Sequence, residues 1–160
     1  SVDGGFCPDV RMSRTHLAIL AYRLASDSIK ANINYHNLSD VPAGFYAYTE
    51  VNWAITNGLF TTSGGRFLIE DRATYDEIGR MMTMFTGSNQ GYSGTAYMRR
   101  IDLAEAIVQF IYGIDNCDHS ASNSLMSFTD VNASHDRWWI ICEVSNAHGW
   151  HTHNGIHIWS

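Results

Sequence analysis

The chain has 160 residues, enough for one domain with a buried core, and a formal net charge of −6. That charge argues against non-specific binding to nucleic acid, and the positive charge present is nearly all arginine, nine of them beside the single lysine Lys30. No apolar run approaches the length of a membrane helix, which argues against membrane insertion, and none reads as a signal peptide.

The first element is a half-unit over residues 1–25. Gly4-Gly5-Phe6-Cys7-Pro8-Asp9 reads as a loop, and Ser13 caps a helix whose apolar face is Leu17, Leu20, Ala21 and Leu24. Residues 26–37 are polar and read as linker. A full unit follows over residues 38–86. Asp40 stands where an N-cap or turn acceptor belongs, with Pro42 just inside it, and Val51, Ala54, Ile55 and Leu59 share one helical face. Gly58 is placed to end that helix. After the turn-rich Ser63-Gly64-Gly65-Arg66-Phe67, Thr74 and Glu77 form a capping box for a second helix carrying Ile78, Met81, Met82 and Phe85.

Gly87 to Gly94 is a Gly/Ser/Asn loop leading into a helix unit over residues 91–112. That helix, Arg99 to Tyr112, turns Ile101, Ala104, Ile107, Val108 and Ile111 inward. A further half-unit, residues 127–150, restarts with Ser127-Phe128-Thr129-Asp130-Val131 and continues into a Trp138-Trp139 helix. The tail, residues 151–160, alternates polar and apolar residues and reads as a short strand.

The parts repeat. Phe6 precedes Arg14, Phe67 precedes Tyr75 and Tyr92 precedes Arg100 at one common interval, each with a glycine just upstream of the aromatic and an apolar helix after it. Asp40-Val41 and Asp130-Val131 each precede a tryptophan-bearing helix. These residues resemble the S-layer homology family. Gly4-Gly5-Phe6-Cys7-Pro8-Asp9 with Ser13-Arg14-Thr15-His16-Leu17-Ala18 matches its loop and Thr-Arg-Ala-Glu helix start. Ser39-Asp40-Val41-Pro42 with Asn52-Trp53-Ala54 and Asn57-Gly58-Leu59 matches its Asp-Val, Trp-Ala helix.

The resemblance implies a mostly α fold: a pseudo-threefold helical bundle with short loops or strands between helices. It further implies a non-catalytic, extracellular, cell-surface role. One form is a self-assembling structural subunit of a surface layer or filament, with the chain itself as partner. The other is an anchor whose groove binds a pyruvylated cell-wall polysaccharide. By the resemblance Arg14 and Arg100 are the groove arginines, with Asp40, Trp53 and Gly65 beside them; the second motif has Tyr75 where the family has arginine. Three second helices are matched by only two first helices. The terminal halves therefore complete one another either within one molecule or between molecules, the latter giving a filament or sheet.

Each singled-out residue also has a plainer reading. Arg14 and Arg100 can pair with nearby acids, and Trp53, Trp138 and Trp139 can be core. His151, His153 and His157 in the tail are candidate ligands for a divalent metal on one strand face; no other cofactor is implied. Cys7, Cys117 and Cys142 allow one disulfide and a free thiol, or three thiols. Asn37-Leu38-Ser39 and Asn132-Ala133-Ser134 are N-glycosylation sequons. No nucleophile elbow, phosphate loop, dinucleotide fingerprint or zinc-protease motif is present, so no enzymatic activity is expected.

Overall fold

The structure, a computed structural model, describes residues 5–111, 128–132, 134–138, 140–141, 150–153 and 156–159. It is mostly helical. The helices are α1 (Arg14–Leu24), α2 (Asp27–Lys30), α3 (Tyr48–Thr56), α4 (Tyr75–Thr86) and α5 (Arg100–Ala106), the last running on as a π-helical turn, Ile107–Ile111. Trp138, Ile140 and Ile141 are also helical. Two strands, β1 (Trp150–His153) and β2 (Ile156–Trp159), pair antiparallel with His151 opposite Ile158.

The caps explain where the longer helices begin and end. The Ser13 hydroxyl accepts from the His16 amide, and Thr74 with Glu77 completes both halves of a capping box. Gly58 and Gly87 take positive φ, 76° and 81°, just past α3 and at the end of α4. Three expectations are corrected. Asp40 does not cap α3, because two successive turns, Phe45 N to Pro42 O and Tyr48 N to Phe45 O, delay the helix to Tyr48. The linker holds a helical turn of its own, α2. The helix after Arg99 widens into a π turn from Ile107 rather than staying α throughout.

The common interval read in the sequence is a spatial equivalence. The chain segments entering α1, α4 and α5 meet around one axis in a closed ring of main-chain hydrogen bonds. Met12 N donates to Met98 O (3.2 Å), Met98 N to Ala73 O (3.4 Å), and Ala73 N to Met12 O (2.8 Å). A second ring lies one step along the chain: Arg14 N to Asp71 O, Tyr75 N to Ala96 O and Arg100 N to Val10 O, at 3.0, 2.9 and 2.8 Å. Met12, Ala73 and Met98 are buried at this centre.

The larger apolar core is built from α1, α3, α4 and part of α5, with Trp53, Phe67, Leu17, Met81 and Met82 fully enclosed. A smaller cluster joins the two ends of the chain: Phe6 from the first loop, Ile101, Ala104 and Val108 from α5 and its π turn, and Val131, Ile140 and Ile141 from the C-terminal half. α3 packs along α1, and Tyr22 meets Trp53 edge-on at 5.4 Å. The α4 position equivalent to Ala18 of α1 and Ala104 of α5 is Gly79. There the loop before α5 lies directly on the helix, so that a Cβ would stand 2.2 Å from the Tyr92 carbonyl oxygen. Among the described residues no helix separates α4 from this loop in the way α3 separates α1 from the Phe67 loop.

Candidate functional site

Two of the three loop aromatics, Phe67 and Phe6, are held through their amides by a carboxylate. The Asp40 carboxylate accepts from the amides of Phe67 (2.9 Å) and Leu68 (2.7 Å), with Ile69 further off at 3.4 Å. At the equivalent place the Asp130 carboxylate accepts from Phe6 and Cys7, both at 2.7 Å. Cys7 and Leu68 are themselves equivalent, and both take positive φ, 56° and 65°, which turns successive amides toward one carboxylate. A Cβ at Gly5 would stand 3.0 Å from the Asp130 carboxylate, tighter than ordinary contact. Burial alone would raise the Asp40 pKa, but the Phe67, Leu68 and Ile69 amides outweigh it and hold the carboxyl below its ordinary value. The same balance, with the amides of Cys7 and Phe6 and the Cys7 thiol, holds Asp130 low.

The first helical residue of each unit meets the aromatic of the next loop. Arg14 is buried between two rings, its guanidinium carbon 4.9 Å from the Phe67 centroid and 5.0 Å from that of Phe60. It is also ion-paired with Glu77 of α4 and donates to Thr61 O at 2.7 Å. Its Nε finds no partner among the described residues. At the second junction Tyr75 stacks on Tyr92 with centroids 6.1 Å apart, and Tyr92 sets its edge toward Phe110 at 6.2 Å. At the third, Arg100 is half-buried and donates through Nη1 to the Phe6 carbonyl at 2.8 Å. Where Arg14 makes a guanidinium–aromatic contact, Tyr75 at the equivalent position makes a ring–ring contact.

The five residues expected to line a groove are therefore distributed. Asp40 and Gly65 are neighbours, because Ser39 N donates to Gly65 O at 3.0 Å. Gly64 and Gly65 are the two positive-φ residues of a tight hairpin turn closed by Ser63 and Arg66. Arg14 touches the far side of the same Phe67 whose amide Asp40 holds. Arg100 stands at a different junction. Trp53 is fully buried, and its indole nitrogen donates to Ile29 O at 3.1 Å.

An ion-pair chain unannounced by the motifs braces the third junction. Asp102 takes two hydrogen bonds from Arg99, 2.8 and 2.9 Å, and one from Arg137 of the C-terminal half at 2.5 Å. Arg99 also reaches Asp9 at 2.9 Å, and Arg137 reaches Glu105 at 3.2 Å. Burial would raise the Asp102 pKa, but the hydrogen bonds from Arg99 and Arg137 prevail and lower it. The three-residue spacing of Arg99 and Asp102 was a usable signal; nothing in the sequence pointed to Arg137 or to Glu77 as a partner of Arg14.

In the tail the backbone register pairs His157 with Thr152, one position out of phase with His151 and His153, which pair with Ile158 and Ile156. The tail side chains lie outside the described residues, as do Cys117, Cys142 and Trp139. Among the described residues no group of three or more metal-ligating side chains occurs, and no helix is long and apolar enough to cross a membrane. No family model, no curated protein and no solved structure matches the chain.

Proposed function

We propose that the chain is a non-catalytic module of a cell-surface protein, similar in build to S-layer homology domains, that anchors by binding an anionic wall polysaccharide. The observation that carries this reading is the Asp130 cap on Phe6 and Cys7. On this reading the C-terminal half completes the N-terminal loop in the way Asp40 completes the Phe67 loop, and one chain is enough for binding. Of the three junction residues, Arg14 is neutralised by Glu77 and Tyr75 carries no cationic group. Arg100 is the guanidinium left for an acidic ligand. Apart from the bond to Phe6 O, its donors carry no hydrogen bond among the described residues.

The test is co-sedimentation with purified acidic wall glycan. Arg100→Ala should lose pelleting with its far-ultraviolet spectrum unchanged, and removing the ketal acid groups from the glycan should have the same effect. Pelleting that survives Arg100→Ala overturns the anchor.

A second reading, a self-assembling subunit, draws on the smaller apolar cluster. That cluster sets Phe6 of the first loop and α5 against Val131 and Ile141 of the C-terminal half, so the same contact made between copies would propagate head to tail. Mass in solution over a concentration series separates the two: a monomer throughout favours the closed anchor, and open-ended assemblies favour the subunit.

A further inference from the structure

Asn132 and Ser134 sit at the turn that leads from the Asp130 cap into the helical residues beginning at Trp138. The turn is closed by His135 N donating to Asn132 O at 2.9 Å, followed by Trp138 N to His135 O at 3.0 Å. The sister turn after Asp40 has the same two bonds at equivalent places, Phe45 N to Pro42 O and Tyr48 N to Phe45 O, at 2.8 and 3.0 Å. Pro42 and Gly44 stand there in place of Asn132 and Ser134. The turn therefore forms without an asparagine or a hydroxyl, and the fold does not account for this pair.

What the pair adds is a specific arrangement of one side-chain amide. Asn132 Oδ1 accepts from the Ser134 amide at 2.9 Å and from the Ser134 hydroxyl at 2.7 Å. Both donors engage the carbonyl end of the carboxamide, while Nδ2 carries no hydrogen bond among the described residues, and both residues are exposed. The other sequon is held differently. Asn37 and Ser39 are exposed, but Leu38 between them is buried in the larger core, and Ser39 N is committed to Gly65 O.

We propose that Asn132 is an N-glycan acceptor, with Ser134 as the hydroxyl of its sequon, and that the folded chain accommodates the sugar there at no cost to the Asp130 cap. The donor is an oligosaccharide linked to a lipid diphosphate. Nδ2 forms the bond to the anomeric carbon, the bond from that carbon to the diphosphate oxygen breaks, and the diphosphate departs with the electron pair. The amide proton passes to a base of the transferring enzyme. The proposal rests on the cell-surface reading, since the transfer takes place on exported chains.

The test is peptide mass spectrometry of the full chain, exported through an N-glycosylating secretory host behind an added leader, before and after an amidase that converts glycosylated Asn to Asp. The peptide holding Asn132 should be modified, with higher occupancy than the one holding Asn37. Asn132→Gln and Ser134→Ala should abolish that modification, Ser134→Thr should retain it, and melting of the Asn132→Gln chain should match the glycosylated one. An exported, folded chain with Asn132 unmodified, or with Asn37 modified in its stead, overturns the proposal. Occupancy is read on chains whose export the leader imposes. A failure of wall-glycan sedimentation therefore counts against the anchor alone and leaves this result standing.

Discussion

Replacing Gly79 by alanine sets two physical effects of opposite sign against each other. Alanine in a helix interior is favoured over glycine by about 1 kcal/mol, so propensity alone predicts a more stable protein. The structure predicts the reverse. The added Cβ would lie 2.2 Å from Tyr92 O and 3.3 Å from the Tyr92 carbonyl carbon, main-chain atoms that no rotamer change can move aside. The loop would have to retreat by about 1 Å to restore ordinary contact distances. Overpacking of this kind costs about 1–3 kcal/mol. The retreat also pulls Tyr92 from Tyr75 and Phe110, where ring pairs are worth about 0.5–1.5 kcal/mol each. Set against the propensity gain, the net expectation is a loss of about 1–5 kcal/mol, the upper end if both ring pairs are lost, read from urea unfolding midpoints at constant slope. Gly44→Ala is the control, because nothing lies within 4 Å of its added Cβ. Stability of Gly79→Ala equal to or above wild type would refute the claim that the Tyr92 loop packs directly on α4.

The remaining predictions concern charge. Asp40 and Asp130 have folded pKa values below their unfolded ones, so their contribution is present above the unfolded value near about 4 and is lost as pH falls through the folded values. Wild-type stability should therefore drop steeply under acid, while Asp40→Asn with Asp130→Asn should flatten that drop and cost about 1 kcal/mol per site at neutral pH, measured by unfolding across a pH series. Glu77→Ala leaves the Arg14 charge buried and unpaired and removes the α4 capping box; it should cost about 3–5 kcal/mol in the same assay. Adding Arg14→Met to Glu77→Ala should recover part of that loss, and no recovery would sink the pairing argument.

Much of the fold was legible because its signals are local. Ser13, Thr74 with Glu77, and Gly58 announce helix ends through single side chains or one backbone angle, and each does that work in the structure. The common interval from Phe6, Phe67 and Tyr92 to the helices was legible for the same reason. What was not legible depends on distance in sequence. Asp40 looks like a helix cap because the pattern does not tell a near amide from one 27 residues away. Arg14 looks like a ligand-facing arginine because Glu77, 63 residues on, gives no local sign of neutralising it. Trp53 is ambiguous between a sugar platform and core until α1 is known to lie against it. At Gly79 the sequence shows a glycine inside an amphipathic helix and nothing of the loop that requires it.

The ring of hydrogen bonds through Met12, Ala73 and Met98 uses no side-chain atom. The three-way symmetry of the centre is thus written in peptide groups, which every residue but proline supplies in full. Such a frame tolerates wide drift in the residues it carries. Arg14, Tyr75 and Arg100 differ in chemistry at the three helix starts, while the main-chain bonds entering the helices keep one pattern. A centre built this way asks little of the side chains at Met12, Ala73 and Met98 beyond their fit in the core.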